Sequence, residues 1–312
     1  MIIIAGIKSE EPVRLVIESA ELAGLEYFVF NQGDAHLYDI NFSAGNRHHG
    51  AWLYASNQTI DLNKVKGVYF RMMDSSIFPD NLNRFRYQMD DASKKKLVFI
   101  NEVFSNICDI LPCRVLNRPN NMNSNFSKIY QLKYIREAGF KIPPTLVTNN
   151  KDCVSNMMAQ HRNLIFKSLS SVRSIVKPLE AAYLQRMDML KYLPTQFQKC
   201  LDGFNVRVHV VEDALFSMQI ISKSIDYRYS GRDGNESELI PYELPTDIKK
   251  KCFKLSASLS LPLCGIDLFM TSDGGCYCFE VNPSPGYSFF QPSSSTEISD
   301  AIVKYLQHGT AR

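Results

Sequence analysis

The hydrophobic pattern changes period along this chain. Ile2–Ala5 is a continuous apolar run, Val13, Val16, Ile17 and Ala20 repeat at helical spacing until Gly24, and Tyr27–Phe30 runs apolar again. Strand, helix and strand in that order make a βαβ opening, which predicts a parallel sheet. Ser9 is placed to cap the helix, with Pro12 in its first turn. Val65–Phe70 reads as a further strand, closed by Arg71. Leu97, Ile100, Phe104 and Ile107 set one apolar stripe on a helix ending near Cys108. Residues 111–126, rich in Pro and Asn, read as a linker and a domain boundary.

Beyond that boundary the periods mix. Ser127–Ala138 carries Ile129, Leu132 and Ile135 at helical spacing, with Gly139 as its stop and Pro143-Pro144 beyond. Leu164–Lys167, Gln196–Leu201 and Val206–Ser222 read as strands, the last folded back near Glu212-Asp213. Ile248–Leu259 reads as a helix, and Cys264–Met270 and Cys276–Val281 as strands. The expected class is α+β: an α/β first part, then mixed structure without internal repeats.

A length of 312 residues predicts two or three subdomains. A net charge of +3 argues against broad nucleic-acid binding while leaving room for a local basic cleft that holds phosphates. No run of about 18 uncharged apolar residues is present, so no membrane contact is expected and a soluble cytoplasmic protein is the default. The eight cysteines contain no C-x-x-C pair, and free thiols are expected. The histidines lack metal-cluster spacing, so zinc is not expected, and His48-His49 reads as surface.

The sharpest signal lies near the C-terminus, where Gly265–Met270 and Cys276–Asn282 flank Thr271-Ser272-Asp273-Gly274-Gly275. Asp-Gly between alternating strands marks a two-residue hairpin turn. A turn at Asp273-Gly274 sets Asp267 directly across from Glu280, and period-two alternation adds Asn282 to the same face. Opposed carboxylates repel unless a cation lies between them. Two carboxylates and an amide oxygen suit Mg²⁺, which prefers oxygen ligands and keeps sites for water and phosphate. The alternative is an edge hairpin whose acids face water, and a three-residue loop ending at Gly275 would shift the register.

Lys167 ends an apolar strand just before Ser168–Ser174, where small hydroxyl residues beside Lys and Arg suit a phosphate cradle; the other reading is a solvated turn. Pro194–Leu201 followed by Asp202-Gly203 reads as a strand running into a hinge whose main chain can meet an adenine edge. Asn205–Val211 alternates, with Arg207 and His209 on one face; Arg207 is a candidate phosphate or carboxylate clamp. Asp226-Tyr227-Arg228 and Arg232 either rim a site or form a solvated loop.

Taken in order, Asn117-Arg118-Pro119, Ser127-Lys128 with Gln131-Leu132, Ala138–Thr145, Phe166-Lys167, Phe197-Gln198, Asn205–Val208, Gly265-Ile266-Asp267 and Glu280-Val281-Asn282-Pro283 resemble the ATP-grasp superfamily, in its RimK-like branch. The resemblance implies an ATP-grasp fold behind an N-terminal α/β domain. Its expected divisions are 1–116, 117–195 and 196–312. It implies ATP and Mg²⁺ as cofactors, with Lys128 and Lys167 on the phosphates, Gln198, Lys199 and Leu201 at adenine and Asp202 at the ribose. Asp267, Glu280 and Asn282 match the metal ligands, and Arg207, Lys167 and Arg228 the catalytic positions. Two positions depart from the pattern: Ser168–Ser174 replaces a glycine-rich loop, and Lys199 replaces an acidic residue.

Val68-Tyr69-Phe70-Arg71, Leu146–Asn149 and Ile225–Arg228 are similar to the graspetide (microviridin-type) peptide ligases. That implies ester or amide crosslinks between side chains of a ribosomally made precursor peptide. A RimK-like ligase adding free amino acids to a peptide or a small-molecule carboxylate is one alternative, and a non-catalytic nucleotide-binding scaffold another. Related ligases are often dimers, so a homodimer is an open expectation.

Overall fold

The computed structural model describes residues 1–45, 49–56, 58–73, 89–169, 176–222, 238–291 and 297–308. They form two compact units, one comprising Met1–Met122, Leu261–Leu263 and Ser284–Arg312, the other Asn123–Ser260 and Cys264–Pro283. Among the described residues no helix is long and apolar enough to cross a membrane.

The strands of the first unit are β1 (Ile2–Gly6), β2 (Tyr27–Asn31), β3 (Tyr38–Ala44), β4 (His49–Ala55), β5 (Gln58–Asp61), β6 (Gly67–Arg71) and β7 (Arg114–Leu116). β2, β1, β6 and β7 pair in that order, every pairing parallel. The expected βαβ opening is therefore present, and helix Glu11–Leu22 buries Val13, Val16 and Ala20 beside the sheet. Its cap position is held by Glu10 rather than Ser9. Glu10 makes no capping bond, and its Oε1 pairs with Arg71 at 2.7 Å. Helix Asp91–Ile110 buries the predicted stripe, and Phe104 stacks on Phe30 with ring centres 4.1 Å apart.

Residues 114–116 correct the linker reading. Three residues are too short to stand out against their Pro- and Asn-rich flanks, yet Val115 and Leu116 are buried and extend the sheet. The hydrophobic pattern also left β3–β5 unassigned; they form a separate antiparallel sheet. The C-terminal helix Glu297–Gln307, likewise unassigned, belongs to this unit, where Ser19 Oγ donates to Ser299 Oγ at 2.7 Å.

The second unit holds two sheets. β8 (Thr145–Thr148), β9 (Leu164–Ser168), β10 (Lys177–Pro178) and β11 (Thr195–Lys199) form the first, in the order β10-β9-β11-β8 and antiparallel throughout. β12 (Gly203–Val211), β13 (Ala214–Ile221), β14 (Glu238–Pro241), β15 (Leu263–Thr271) and β16 (Cys276–Asn282) form the second, in the order β14-β13-β12-β15-β16.

Helix Lys128–Ala138 is bounded as predicted: Ser127 Oγ accepts from Tyr130 N–H at 3.1 Å, and Gly139 ends it at φ +97°. Its buried stripe is Gln131, Ile135 and Ala138, which corrects the apolar spacing expected from sequence: Ile129 is 58% exposed.

β12 alternates as expected, and both of its faces are covered. Val206, Val208 and Val210 are buried on one side, Arg207 and His209 on the other. His209 is 1% exposed, and burial together with the Arg207 charge holds its imidazole well below its usual titration range. Its Nε2 accepts from Arg207 Nε–H at 3.5 Å, the bond of a neutral ring.

Two outcomes follow. Gly203 has φ +152°, and a Cβ there would overlap the Met270 carbonyl oxygen. Gly203→Ala should therefore lose about 2 kcal/mol or more in denaturant unfolding; a wild-type midpoint would contradict this packing. For His209 the unfolded chain takes up a proton below about pH 6.5 while the folded chain does not, so stability falls as pH drops below that value. The slope reaches about 1.4 kcal/mol per pH unit. His209→Gln cannot gain this charge, and its stability should decline less steeply between about pH 6.5 and pH 5.

Candidate active site

β15 and β16 pair antiparallel with Asp267 opposite Glu280 and Asn282 opposite Gly265. The expected juxtaposition is present, but the turn is not the expected two-residue one. Gly274 N–H donates to Thr271 O and Thr271 N–H to Gly275 O, each at 2.9 Å, and Gly274 adopts φ +80°. This is a three-residue loop with a left-handed glycine, and it shifts the register by one, pairing Met270 with Cys276 and Leu268 with Cys278. A bulge between Asp267 and Leu268 inserts Phe279 as an extra residue and shifts the register back. The two displacements cancel at Asp267.

Asp267 does not face Glu280 alone. Arg207, on the neighbouring strand β12, donates Nη1–H to Asp267 Oδ1 at 2.7 Å, with the side chains 6% and 15% exposed. Two carboxylates and one guanidinium leave a formal charge of −1, with half-buried Glu280 and Asn282 completing an all-oxygen donor face. Among the described residues no group of three or more His, Cys, Asp or Glu side chains is arranged to hold a metal ion. Two carboxylates and one amide instead make a partial shell, which fits Mg²⁺ completed by water and phosphate oxygens.

The other predicted residues lie on the four-stranded sheet. Register places Gln196 opposite Lys167 and Gln198 opposite Ile165 and Thr145, so Lys167, Gln196 and Gln198 share one face. The opposite face carries Leu146, Phe166 and Phe197, packed with Val154, Met157 and Leu190. Lys167 is 8% exposed and has no carboxylate at ion-pair distance among the described residues. Gln198 Nε2 donates to Thr145 Oγ1 at 2.9 Å. Lys199 points to the other face and is exposed, and its N–H is spent on Pro144 O at 2.9 Å. Leu201 and exposed Asp202 lie in the connection from β11 to β12.

Helix Lys128–Ala138 touches both sheets. Lys128 Nζ reaches Ser168 O at 3.4 Å, at the end of the Lys167 strand. One turn on, Gln131 bonds the main chain of Val281 between Glu280 and Asn282. Sequence spacing assigned Gln131 no role of its own; the available signal was a polar residue in register with Ile135 and Ala138. Arg228, Ile225–Arg228 as a whole, His48 and most of Ser168–Ser174 lie outside the described residues. The eight cysteines are free, in keeping with the expected thiols.

Comparison with known proteins follows the same lines. A Chryseobacterium gregarium RiPP-associated ATP-grasp ligase, in complex with ADP and a leader and core peptide, superposes with TM-score 0.82 at 22% identity, over 98% of this chain and 96% of that one. The macrocyclase MdnC from Microcystis aeruginosa MRC, bound with precursor peptide MdnA, gives TM-score 0.77 at 23% identity over 98% of both chains. These likenesses establish the fold as that of ATP-grasp ligases. Human N-acetylaspartylglutamate synthase A is 24% identical over 211 residues, covering 62% of this chain and 52% of that protein. The chain thus spans about half the length of the curated relatives it matches. Residues 128–306 match the RimK-like ATP-grasp domain, and the chain belongs to that family.

Proposed function

We propose that this chain is an ATP- and Mg²⁺-dependent carboxylate ligase that works through an acylphosphate and forms side-chain ester or amide crosslinks in a ribosomally made precursor peptide. The observation that carries the chemistry is the opposed pair Asp267 and Glu280, with Arg207 bonded to Asp267 and Asn282 on the same face. In the first step a substrate carboxylate oxygen attacks the γ-phosphorus of ATP and the bond to ADP breaks. A hydroxyl or amine then attacks the acyl carbon, loses its proton, and phosphate leaves.

This chain's residues supply position and charge for both steps. Buried Lys167, with Lys128 at the end of its strand, faces the phosphates, while Gln198 and the main chain at Lys199 and Leu201 border the base and Asp202 the ribose. Arg207 neutralises charge where the phosphoryl group transfers, and Arg228 is assigned to the same step by resemblance alone. Asp267, Glu280 and Asn282 would hold Mg²⁺, which would supply positive charge to offset that of the phosphates.

Similarity along almost the whole chain to ligases solved with leader, core or precursor peptides supports a peptide substrate. The partial matches favour the second reading, ligation of free amino acids: besides the human synthase they include a probable alpha-L-glutamate ligase of Pseudomonas savastanoi at 22% identity.

Mass spectrometry of candidate precursor peptides incubated with the protein, ATP and Mg²⁺ separates the two. Loss of one water per bond means crosslinking, whereas added residue masses mean amino-acid ligation. Lys167→Ala and Arg207→Ala should each lower turnover about 10²–10³-fold, and wild-type rates in both would reject the assigned roles. Asp267→Asn and Glu280→Gln should lose Mg²⁺-dependent nucleotide binding; retention in both would remove the metal site.

A further inference from the structure

Gln131 is 3% exposed, and its amide makes two hydrogen bonds to a single main-chain residue. Nε2 donates to Val281 O at 2.7 Å, and Val281 N–H donates to Oε1 at 3.0 Å. β16 is the edge strand of its sheet. In an antiparallel ladder alternate residues turn both main-chain groups away from the partner strand, and Val281, opposite Ile266, is such a residue. It is 1% exposed, so water does not reach those groups readily. For this one residue the Gln131 amide stands in for a further strand.

Val281 lies between Glu280 and Asn282, so a grip on its main chain sets the height and rotation of both neighbouring side chains. A second grip, Cys278 N–H to Lys141 O at 3.1 Å, holds β16 on the other side of Phe279, the extra residue of the bulge. The segment that returns Glu280 to its place opposite Asp267 is therefore pinned at both ends.

We propose that Gln131 is a positioning residue for the metal site: its amide holds Glu280 and Asn282 in line with Asp267. Because the same helix carries Lys128 to Ser168 O at 3.4 Å, that alignment is tied to the end of the Lys167 strand. The inference rests on the ligase reading and extends it to a residue that touches neither nucleotide nor metal. An amide that only filled a structural need would leave the Mg²⁺ dependence of nucleotide binding unchanged.

The test is calorimetric titration of ADP into the full chain across a series of MgCl₂ concentrations, for wild type, Gln131→Leu and Gln131→Glu, with circular dichroism confirming folding. Losing a partner behind the metal ligands typically costs 10–100-fold in metal affinity. Gln131→Leu should accordingly need about 10–100-fold more Mg²⁺ to reach half of its gain in ADP affinity, with metal-free ADP binding unchanged. Gln131→Glu keeps the acceptor for Val281 N–H and loses the donor to Val281 O. It should fall between the other two, and it carries the test if the Leu variant does not fold. A wild-type Mg²⁺ profile in the folded variant overturns the positioning role. So does an equal loss of ADP binding with and without metal, which would make Gln131 a general support. If Mg²⁺ has no effect on ADP binding even in wild type, the ligase reading itself falls and this inference with it.

Discussion

Two carboxylates placed across one rung of a β-ladder repel, and the neighbouring strand of the second unit supplies what offsets them. Asp267 and Glu280 face each other in partly buried positions, where water screens poorly. Arg207 answers from interior strand β12, and its planar fork engages Asp267 through Nη1 and His209 through Nε. A buried pair of this kind is strongly destabilised when one partner is removed, by about 3–5 kcal/mol. Arg207 thus supplies part of the positive charge that two opposed carboxylates require. What remains is a net negative, oxygen-lined face, suited to a divalent ion that arrives with its own phosphates.

How this face is assembled shows the reach of sequence reasoning. The Asp-Gly turn signal and period-two alternation place Asp267 opposite Glu280, and the structure agrees. The route differs: the loop has three residues, because Gly274 takes the left-handed conformation and Thr271 closes on Gly275. Phe279 then restores the register. Nothing in the residue types around Phe279 announces a bulge, since its stability comes from contacts made by distant segments, Lys141 on one side and Gln131 on the other.

The same contrast runs through the fold. Strong local signals were legible: the βαβ opening, the stripe from Leu97 to Ile107, and the Ser127 and Gly139 bounds of one helix. Segments whose stability comes from partners far along the chain were not. β7 has three residues and exists because β6 offers an edge; β3–β5 support one another; helix Glu297–Gln307 packs with residues almost the whole chain away. Among the candidate site residues, Lys167 stands out because it ends an apolar run and Arg207 because it breaks an apolar alternation, whereas Gln198 rests on resemblance. Gln131 was hidden because it lies off the expected stripe of Ile129, Leu132 and Ile135, while the helix in fact buries Gln131, Ile135 and Ala138.

That position carries a physical consequence. A glutamine in the buried stripe of helix Lys128–Ala138 gives up apolar burial, and Ile129 and Tyr130 are left facing outward. Such an arrangement is stable only if the amide is fully satisfied, because a buried and unpaired amide costs more than an apolar residue gains. Val281 satisfies both ends of it, and the edge of β16 is covered in return. The helix is thereby oriented by a polar lock rather than by its apolar stripe alone, which fixes its rotation as well as its contact. Lys128, one turn earlier, is aimed by that rotation, so the end of the Lys167 strand and the acidic hairpin share a single mechanical reference.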